Sequence, residues 1–199
     1  MKKISKIIVG THNEGKFKEI CALLPKNIIK ISPKNLNLPS PDETGNTFVE
    51  NSKIKAEYFS KKGNLVTISD DSGLAIDLLS GAPGIYSSRW AGPTNDFNIA
   101  INKVYNELKK FNIDYNEKKK ISAKFISCLS VCWPDGKIVS SIGIIEGKIS
   151  KERKGNNGFG YDPIFIPSGY NKTFAELDSK EKFKIDHRSK AFSKISNLF

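Results

Sequence analysis

Residues 3 to 25 read KISKIIVGTHNEGKFKEICALLP, and the class of fold is legible in them. Lys3 to Val9 is rich in Ile and Val and ends at Gly10, the pattern of a buried strand followed by a turn. Past the turn, Phe17, Ile20, Cys21 and Leu24 recur at offsets of three and four, which predicts a helix from Gly15 to Leu24 closed by Pro25. A strand that feeds a helix through a glycine turn is a βα unit, the building block of α/β folds.

Working outward, Ile28 to Ile31 reads as a second short strand, and residues 33 to 46 form a loop long enough to carry function. Thr47 is placed to cap a helix, with Glu50 completing a capping box and Phe48, Val49, Ala56 and Phe59 as its apolar stripe. Asn51 and Lys55 fall one turn apart on an adjoining polar face. Leu65 to Ser69 predicts a strand that runs out into Asp70, Asp71, Ser72 and Gly73, and a Gly- and Pro-rich loop spans Gly81 to Pro93. A third helix is expected from Asn95 to Lys110, on the spacing of Phe97, Ile101, Val104 and Leu108. Lys120 to Trp133 and Lys137 to Ile145 read as strands joined at Pro134, Asp135 and Gly136 into an antiparallel hairpin. After a glycine-rich loop from Gly155 to Gly160 come a short strand, Ile164 to Ile166, and a last helix from about Ser189 with Phe192, Ile195 and Leu198 on one face. Early βα units followed by a hairpin predict an α/β fold with a mixed sheet. No repeat or linker separates independent domains, so residues 1–199 are expected to form a single domain.

Lysine and arginine exceed aspartate and glutamate by 11 charges, a balance compatible with nucleic acid, an anionic membrane or a polyphosphate substrate. Only Arg89, Arg153 and Arg188 are arginines, and the lysines are spread along the chain with many Asn and Ile, a pattern that a coding bias explains as well. No stable nucleic-acid binding is therefore expected. No run approaches the ~18 apolar residues of a membrane span, and the expectation is a cytoplasmic protein with no membrane partner. Cys21, Cys128 and Cys132 lack CxxC spacing. On a strand Cys128 and Cys132 would stand roughly 13 Å apart, too far for a disulfide or a shared metal, and core packing is the assignment.

Four stretches can carry chemistry. Gly10 to Phe17 has the spacing of a Walker A loop between strand and helix, but Phe17 replaces the hydroxyl that would hold Mg²⁺. Backbone N–H groups at a helix start with Lys16 beside them still suit a phosphate chain. Asp70 and Asp71 leave a strand pointing opposite ways, so one acid faces the ligand and the other the interior or the turn. Either could hold Mg²⁺, with the loop acids Asp42 and Glu43 as candidate helpers. Gly155, Gly158 and Gly160 do not fit a dinucleotide fingerprint, yet Phe159 and Tyr161 could offer ring faces to a purine or to the core. His187 and Arg188 precede the last helix, with Lys182 five residues earlier. Two rivals fit parts of this pattern: a P-loop ATPase or kinase, and a basic nucleic-acid-binding protein without turnover.

Five segments in order, Thr11 to Lys16, Glu43 to Asn51, Ser69 to Leu74 with Gly81 to Arg89, Gly158 to Pro163, and His187-Arg188-Ser189, resemble those of the inosine triphosphate pyrophosphatases, also called non-canonical purine nucleoside triphosphate pyrophosphatases. The likeness covers nearly the whole chain; His12 stands where bacterial relatives often carry Gly or Thr. The resemblance implies hydrolysis of ITP, dITP and XTP to the monophosphate and pyrophosphate, a Mg²⁺ requirement and a homodimer. It implies an elongated mixed sheet with flanking helices in two lobes around a central cleft. By resemblance, Thr11, His12, Asn13, Glu14, Gly15 and Lys16 would hold phosphates, Asp71 would be proton acceptor and metal-linked acid, and Ser72 would touch substrate. Phe159, Gly160, Tyr161, Asp162, Lys182, His187 and Arg188 would surround the base and its neighbouring phosphate. Glu43 would be a second metal ligand and Lys55 a phosphate contact.

Overall fold

The computed structural model describes residues 4–111 and 120–199. Six strands lie in one sheet in the order β2-β1-β3-β4-β5-β6: β1 Lys6–Val9, β2 Ile29–Ile31, β3 Thr67–Ile76, β4 Ser122–Cys132, β5 Ile138–Ile149 and β6 Phe165–Pro167. β1 pairs in parallel with both β2 and β3, and β5 pairs antiparallel with β6, so the sheet is mixed. Five α-helices accompany it among the described residues: α1 Glu14–Leu23, α2 Phe48–Gly63, α3 Phe97–Lys109, α4 Ser179–Ile185 and α5 His187–Ser193. The expected mixed α/β class is what the chain adopts. It divides into two compact units, one of Met1–Asp71, Ser127–Gly143 and Arg188–Phe199, the other of Ser72–Ile126 and Ile144–His187.

The first unit is built on the opening βα pair. Ile7, Ile8 and Val9 are completely buried, as an unbroken apolar run requires in a parallel strand covered on both faces. Asn13 caps α1, its Oδ1 accepting the Lys16 N–H at 2.9 Å, and Ile20 and Leu24 join Ile68, Leu129, Val131, Phe192 and Ile195 in the core. The predicted strand start at Lys3 lies outside the described residues. Thr47 caps α2 as expected, accepting the Glu50 N–H at 3.1 Å. The reciprocal half differs: Glu50 Oε2 accepts from Asn46, one residue before the cap. The stripe differs too, because α2 buries Asn51, Ser52, Lys55 and Ser60 beside Ala56 and Phe59. A helix face that reads polar in sequence is thus an inner face, and its polar groups must find partners there.

β3 does not stop at Ser69 but continues through Asp70, Asp71, Ser72 and Gly73 to Ile76. Asp-Asp-Ser-Gly has turn composition, yet ion pairs inside the fold meet both carboxylates and let the strand run on. The hairpin is as predicted: the Trp133 N–H donates to the Lys137 carbonyl at 2.9 Å and Gly136 has φ +89°, which glycine tolerates. β5 extends past Ile145 because Gly147, Lys148 and Ile149 pair with β6.

The second unit has its own core of Leu74, Ile76, Ile101, Val104, Leu108, Phe125, Phe165 and Phe174, with Phe97 packed against it. α3 begins at Phe97 on an Asp96 cap, close to the predicted span. Ile164 falls in a 3-10 turn before β6. The expected last helix begins at His187 as α5 but stops at Ser193, leaving Ile195 and Leu198 to a 3-10 turn beyond it, and an unexpected helix, α4, capped by Asp178, precedes it across an extended Asp186. α4 escapes sequence periodicity because its seven residues, SKEKFKI, are mostly polar.

Candidate active site

Gly10 follows β1 with no room for a side chain, since a Cβ there would sit 2.2 Å from Ser69 Oγ and 2.7 Å from the Phe59 ring. This close approach turns the chain directly into Thr11, His12 and Asn13. Thr11 Oγ1 accepts the Asn13 N–H at 3.2 Å, ordering the turn before α1. His12 Nε2 lies 3.0 Å from the Leu38 carbonyl, which can only accept, so Nε2 donates there, while Nδ1 pairs with the Ser40 hydroxyl at 2.7 Å. His12 therefore fastens the 33–46 loop to the first turn. Glu14 points outward and meets Lys34 at 3.5 Å, leaving its backbone as what it can offer a phosphate.

The two neighbouring aspartates have different surroundings. Asp70 is completely buried and receives Lys16 Nζ at 2.9 Å, Ser127 Oγ at 2.5 Å and the Arg188 guanidinium at 3.3 and 3.4 Å. Burial alone would push its carboxyl up, but Arg188 and Lys16 with the Ser127 hydroxyl reverse this and hold it well below the ordinary carboxylate value. Asp70 is thus an ionised anchor, surrounded by donors. Arg188 also donates to Glu19. Its guanidinium thus serves two carboxylates of the first unit; the resemblance implies a place for it beside the base and its neighbouring phosphate.

Asp71 has one oxygen engaged and one open. Oδ1 meets Lys55 Nζ at 3.0 Å, and the same ammonium meets Glu43 Oε1 at 2.5 Å. Burial disfavours the Lys55 charge, but Asp71 and Glu43 outweigh it and raise its affinity for the proton. For Asp71, burial pushes the carboxyl up, and Lys55 and Lys16 only partly offset this, so it is more basic than an ordinary aspartate. Asp71 Oδ2 is buried and has no hydrogen-bond partner among the described residues. An anionic oxygen left so suits a proton or a cation.

Glu43 and Asp71 are therefore brought together on Lys55, while Asp42 has no contact in this cluster among the described residues. No group of three or more His, Cys, Asp or Glu side chains with metal-binding geometry occurs among the described residues. That donor set fits Mg²⁺, which commonly takes one or two carboxylates and completes its shell with water and substrate phosphates.

In the second unit, Gly158 lies where a Cβ would meet Asp162 Oδ2 at 2.0 Å, and its φ of +74° also favours glycine. Asp162 Oδ2 accepts the Phe159 N–H at 2.9 Å and Lys182 Nζ at 2.6 Å, so Asp162 closes the Gly158–Asp162 turn around a buried ion pair. Lys182 Nζ also stands 5.1 Å from the Phe159 ring centroid, a cation–π arrangement that orients a half-buried ring. Tyr161 does not offer a face to a ligand: it packs edge-on to Phe97 at 5.3 Å and donates its hydroxyl to the Ser87 carbonyl at 2.9 Å. Burial pushes its phenol well up, so it stays neutral. His187 is buried and stacks on Phe125 at 4.9 Å. Ser72 follows Asp71 on β3, and Gly160 sits in the same turn as Phe159 with φ +66°.

Residues 7–198 match the model of the Ham1 family. The chain is 42% identical over 191 residues to a dITP/XTP pyrophosphatase of Caulobacter vibrioides, covering 96% of each chain. The chain belongs to the Ham1 family. A second Ham1 relative, the dITP/XTP pyrophosphatase of Zymomonas mobilis, is 40% identical, with 96% of this chain and 90% of the relative covered. Among solved structures, the HAM1 protein of Coxiella burnetii is similar with a TM-score of 0.86, 36% identity and 98% of each chain covered. The Ham1 protein of Staphylococcus aureus follows with a TM-score of 0.82, 34% identity and 97% of each chain. Within this Ham1 chain, sequence reading missed Glu19 and Ser127 as partners of the Asp70–Arg188 pair. Neither belongs to a local motif; both become visible only when distant segments meet.

Proposed function

We propose that this chain hydrolyses ITP, dITP and XTP to the monophosphate and pyrophosphate, with Mg²⁺ as its metal. The observation that carries the chemistry is the open Oδ2 of a buried, basic Asp71, whose other oxygen shares Lys55 with Glu43. The names of the relatives support the choice of nucleotide.

Asp71 Oδ2 takes a proton from water, and the water oxygen attacks the α-phosphorus. The bond from that phosphorus to the α–β bridging oxygen breaks, and pyrophosphate leaves with its electron pair while the proton passes on to solvent. Lys55, protonated under the pull of Asp71 and Glu43, fixes the Asp71 carboxylate through Oδ1 so that Oδ2 faces the water. Lys16 and the first N–H groups of α1 draw the phosphate chain, and Asp70 holds the Lys16 ammonium in place. Asp71 and Glu43 would hold Mg²⁺, which when bound supplies positive charge to phosphate oxygens.

The base is assigned to the Gly158–Asp162 turn, the Phe159 ring, Lys182 and His187. Donors aimed at O6 accept a 6-oxo purine and meet the 6-amino group of ATP donor to donor. An unpaired buried donor costs ~1 to 3 kcal/mol, or about tenfold to over a hundredfold per contact. Arg188 acts indirectly in this scheme, by holding Asp70 and through it Lys16.

The enzyme is further proposed to work as a cytoplasmic homodimer, which light scattering checks directly. Among the described residues no helix is long and apolar enough to cross a membrane. Ion chromatography of dITP, XTP and ATP reactions tests the activity itself. Pyrophosphate from dITP and XTP, with ATP nearly untouched, is expected. Phosphate released from ATP would instead mark a β–γ cleaving ATPase, and salt-sensitive oligonucleotide binding without turnover would mark a nucleic-acid-binding protein.

A further inference from the structure

Asn51 is completely buried on α2, one helical turn before Lys55 and on the same face. Its Oδ1 accepts the Gly45 N–H at 2.8 Å, and a Cβ on Gly45 would come within 2.7 Å of that oxygen. This contact settles which end of the amide is which, because the reversed amide would set N–H against N–H. The nitrogen end is different: Nδ2 is buried and donates to nothing among the described residues. A buried N–H without an acceptor is costly to keep, and native folds rarely keep one without use.

The surroundings define the missing acceptor. Lys55 Nζ reaches Asp71 Oδ1 at 3.0 Å, so this face of α2 meets the Asp71 face of β3. Asp71 Oδ2 is likewise buried and open. Glu43, two residues before Gly45, closes on the same Lys55 ammonium. A neutral amide donor thus stands one helical turn from an ammonium shared by two carboxylates, tied by its own oxygen to the loop that carries Glu43. Such a donor suits an anionic oxygen, because it stabilises that oxygen without adding a charge to a cluster already paired.

We infer that Asn51 is a substrate-contacting residue, its Nδ2 donating to an oxygen of the phosphate chain of the triphosphate and of the pyrophosphate product. This rests on the triphosphate reading given above. Anchoring Gly45 and contacting phosphate are then two ends of one amide, so the loop bearing Glu43 is positioned by the same side chain that senses the ligand.

The test uses uniformly ¹⁵N-labelled wild-type protein with assigned backbone and side-chain amides, titrated with inorganic pyrophosphate in the presence of MgCl₂. The Asn51 side-chain NH₂ pair is expected to shift and to saturate together with the backbone amides of Thr11 to Lys16. If those amides move and the Asn51 pair does not, the inference falls and the triphosphate reading stands. If no resonance moves, the inference falls, and dITP turnover decides the reading separately. Asn51→Asp gives a second measurement, since it keeps an oxygen for Gly45 and removes both donor protons. Because the new carboxylate can itself repel the ligand, Asn51→Leu, which removes the donor without adding a charge, is measured beside it: by calorimetry the pyrophosphate affinity of both should drop at least tenfold, and undiminished affinity in either overturns the assignment.

Discussion

Asp70 and Asp71 are adjacent, both acidic and both buried, yet replacing each should have opposite consequences. Asp71→Asn removes the base while keeping shape, so kcat on dITP should fall by about 10² or more with Tm little changed. Asp70→Asn removes the charge on which Lys16 and Arg188 converge, leaving a buried guanidinium short of a partner. Breaking such a buried pair costs about 3 to 5 kcal/mol, so Tm should fall sharply. Steady-state kinetics and thermal melts on the two variants check this pair of outcomes, and a stable, active Asp71→Asn protein would sink the assignment of the base. If Mg²⁺ is held as proposed, chelation with EDTA should abolish turnover and leave the melting curve nearly unchanged, because among the described residues Asp71 and Glu43 alone are offered to it. The strand alternation that separates the two acids is legible in the sequence. Which acid faces the ligand is not, because the Arg188 and Ser127 that claim Asp70 lie 118 and 57 residues away.

At the scale of elements, the close approach of β1 and β3 depends on Gly10. Gly10→Ala must displace Ser69 Oγ and the buried Phe59 ring, and overpacking of that kind costs about 1 to 3 kcal/mol. Chemical denaturation should show a lowered midpoint at unchanged m. On β4, Cys128 and Cys132 are buried free thiols, and burial pushes both up despite hydrogen bonds from Ser52, Ser130 and Ser60 that favour the thiolate. An aromatic disulfide reagent should therefore titrate at most Cys21 in the native protein and all three thiols after denaturation. Elements that local pattern determines, β1, α1, α3 and the Pro134–Gly136 hairpin, can be read from the chain with bounds good to a few residues. β3 beyond Ser69 and the polar inner face of α2 cannot, because their buried charges are tolerable only once Lys16, Lys55 and Arg188 arrive from elsewhere.

For the molecule as a whole, β3, β4 and β5 each pass residues from one compact unit to the other. We expect the two cores to melt as one domain, since three strands run unbroken from one into the other. Calorimetric and van't Hoff enthalpies of unfolding should agree, and two resolved transitions would show independent domains. The excess of 11 positive charges has no structural account beyond drawing an anionic substrate.

The pairing of Asp70 with Arg188 also sets an order of events in the cell. A ribosome adding about 5 to 20 residues each second needs roughly 6 to 24 s to travel the 118 residues that separate them. During that interval the nascent chain already holds β1, α1 and the Lys16 that can meet Asp70, but not the guanidinium that completes its neutralisation. The first unit can collapse early, yet its central acid stays underpaired until Arg188 has left the exit tunnel, so the cluster around Asp70 and Lys16 matures after translation has passed almost all of the described fold.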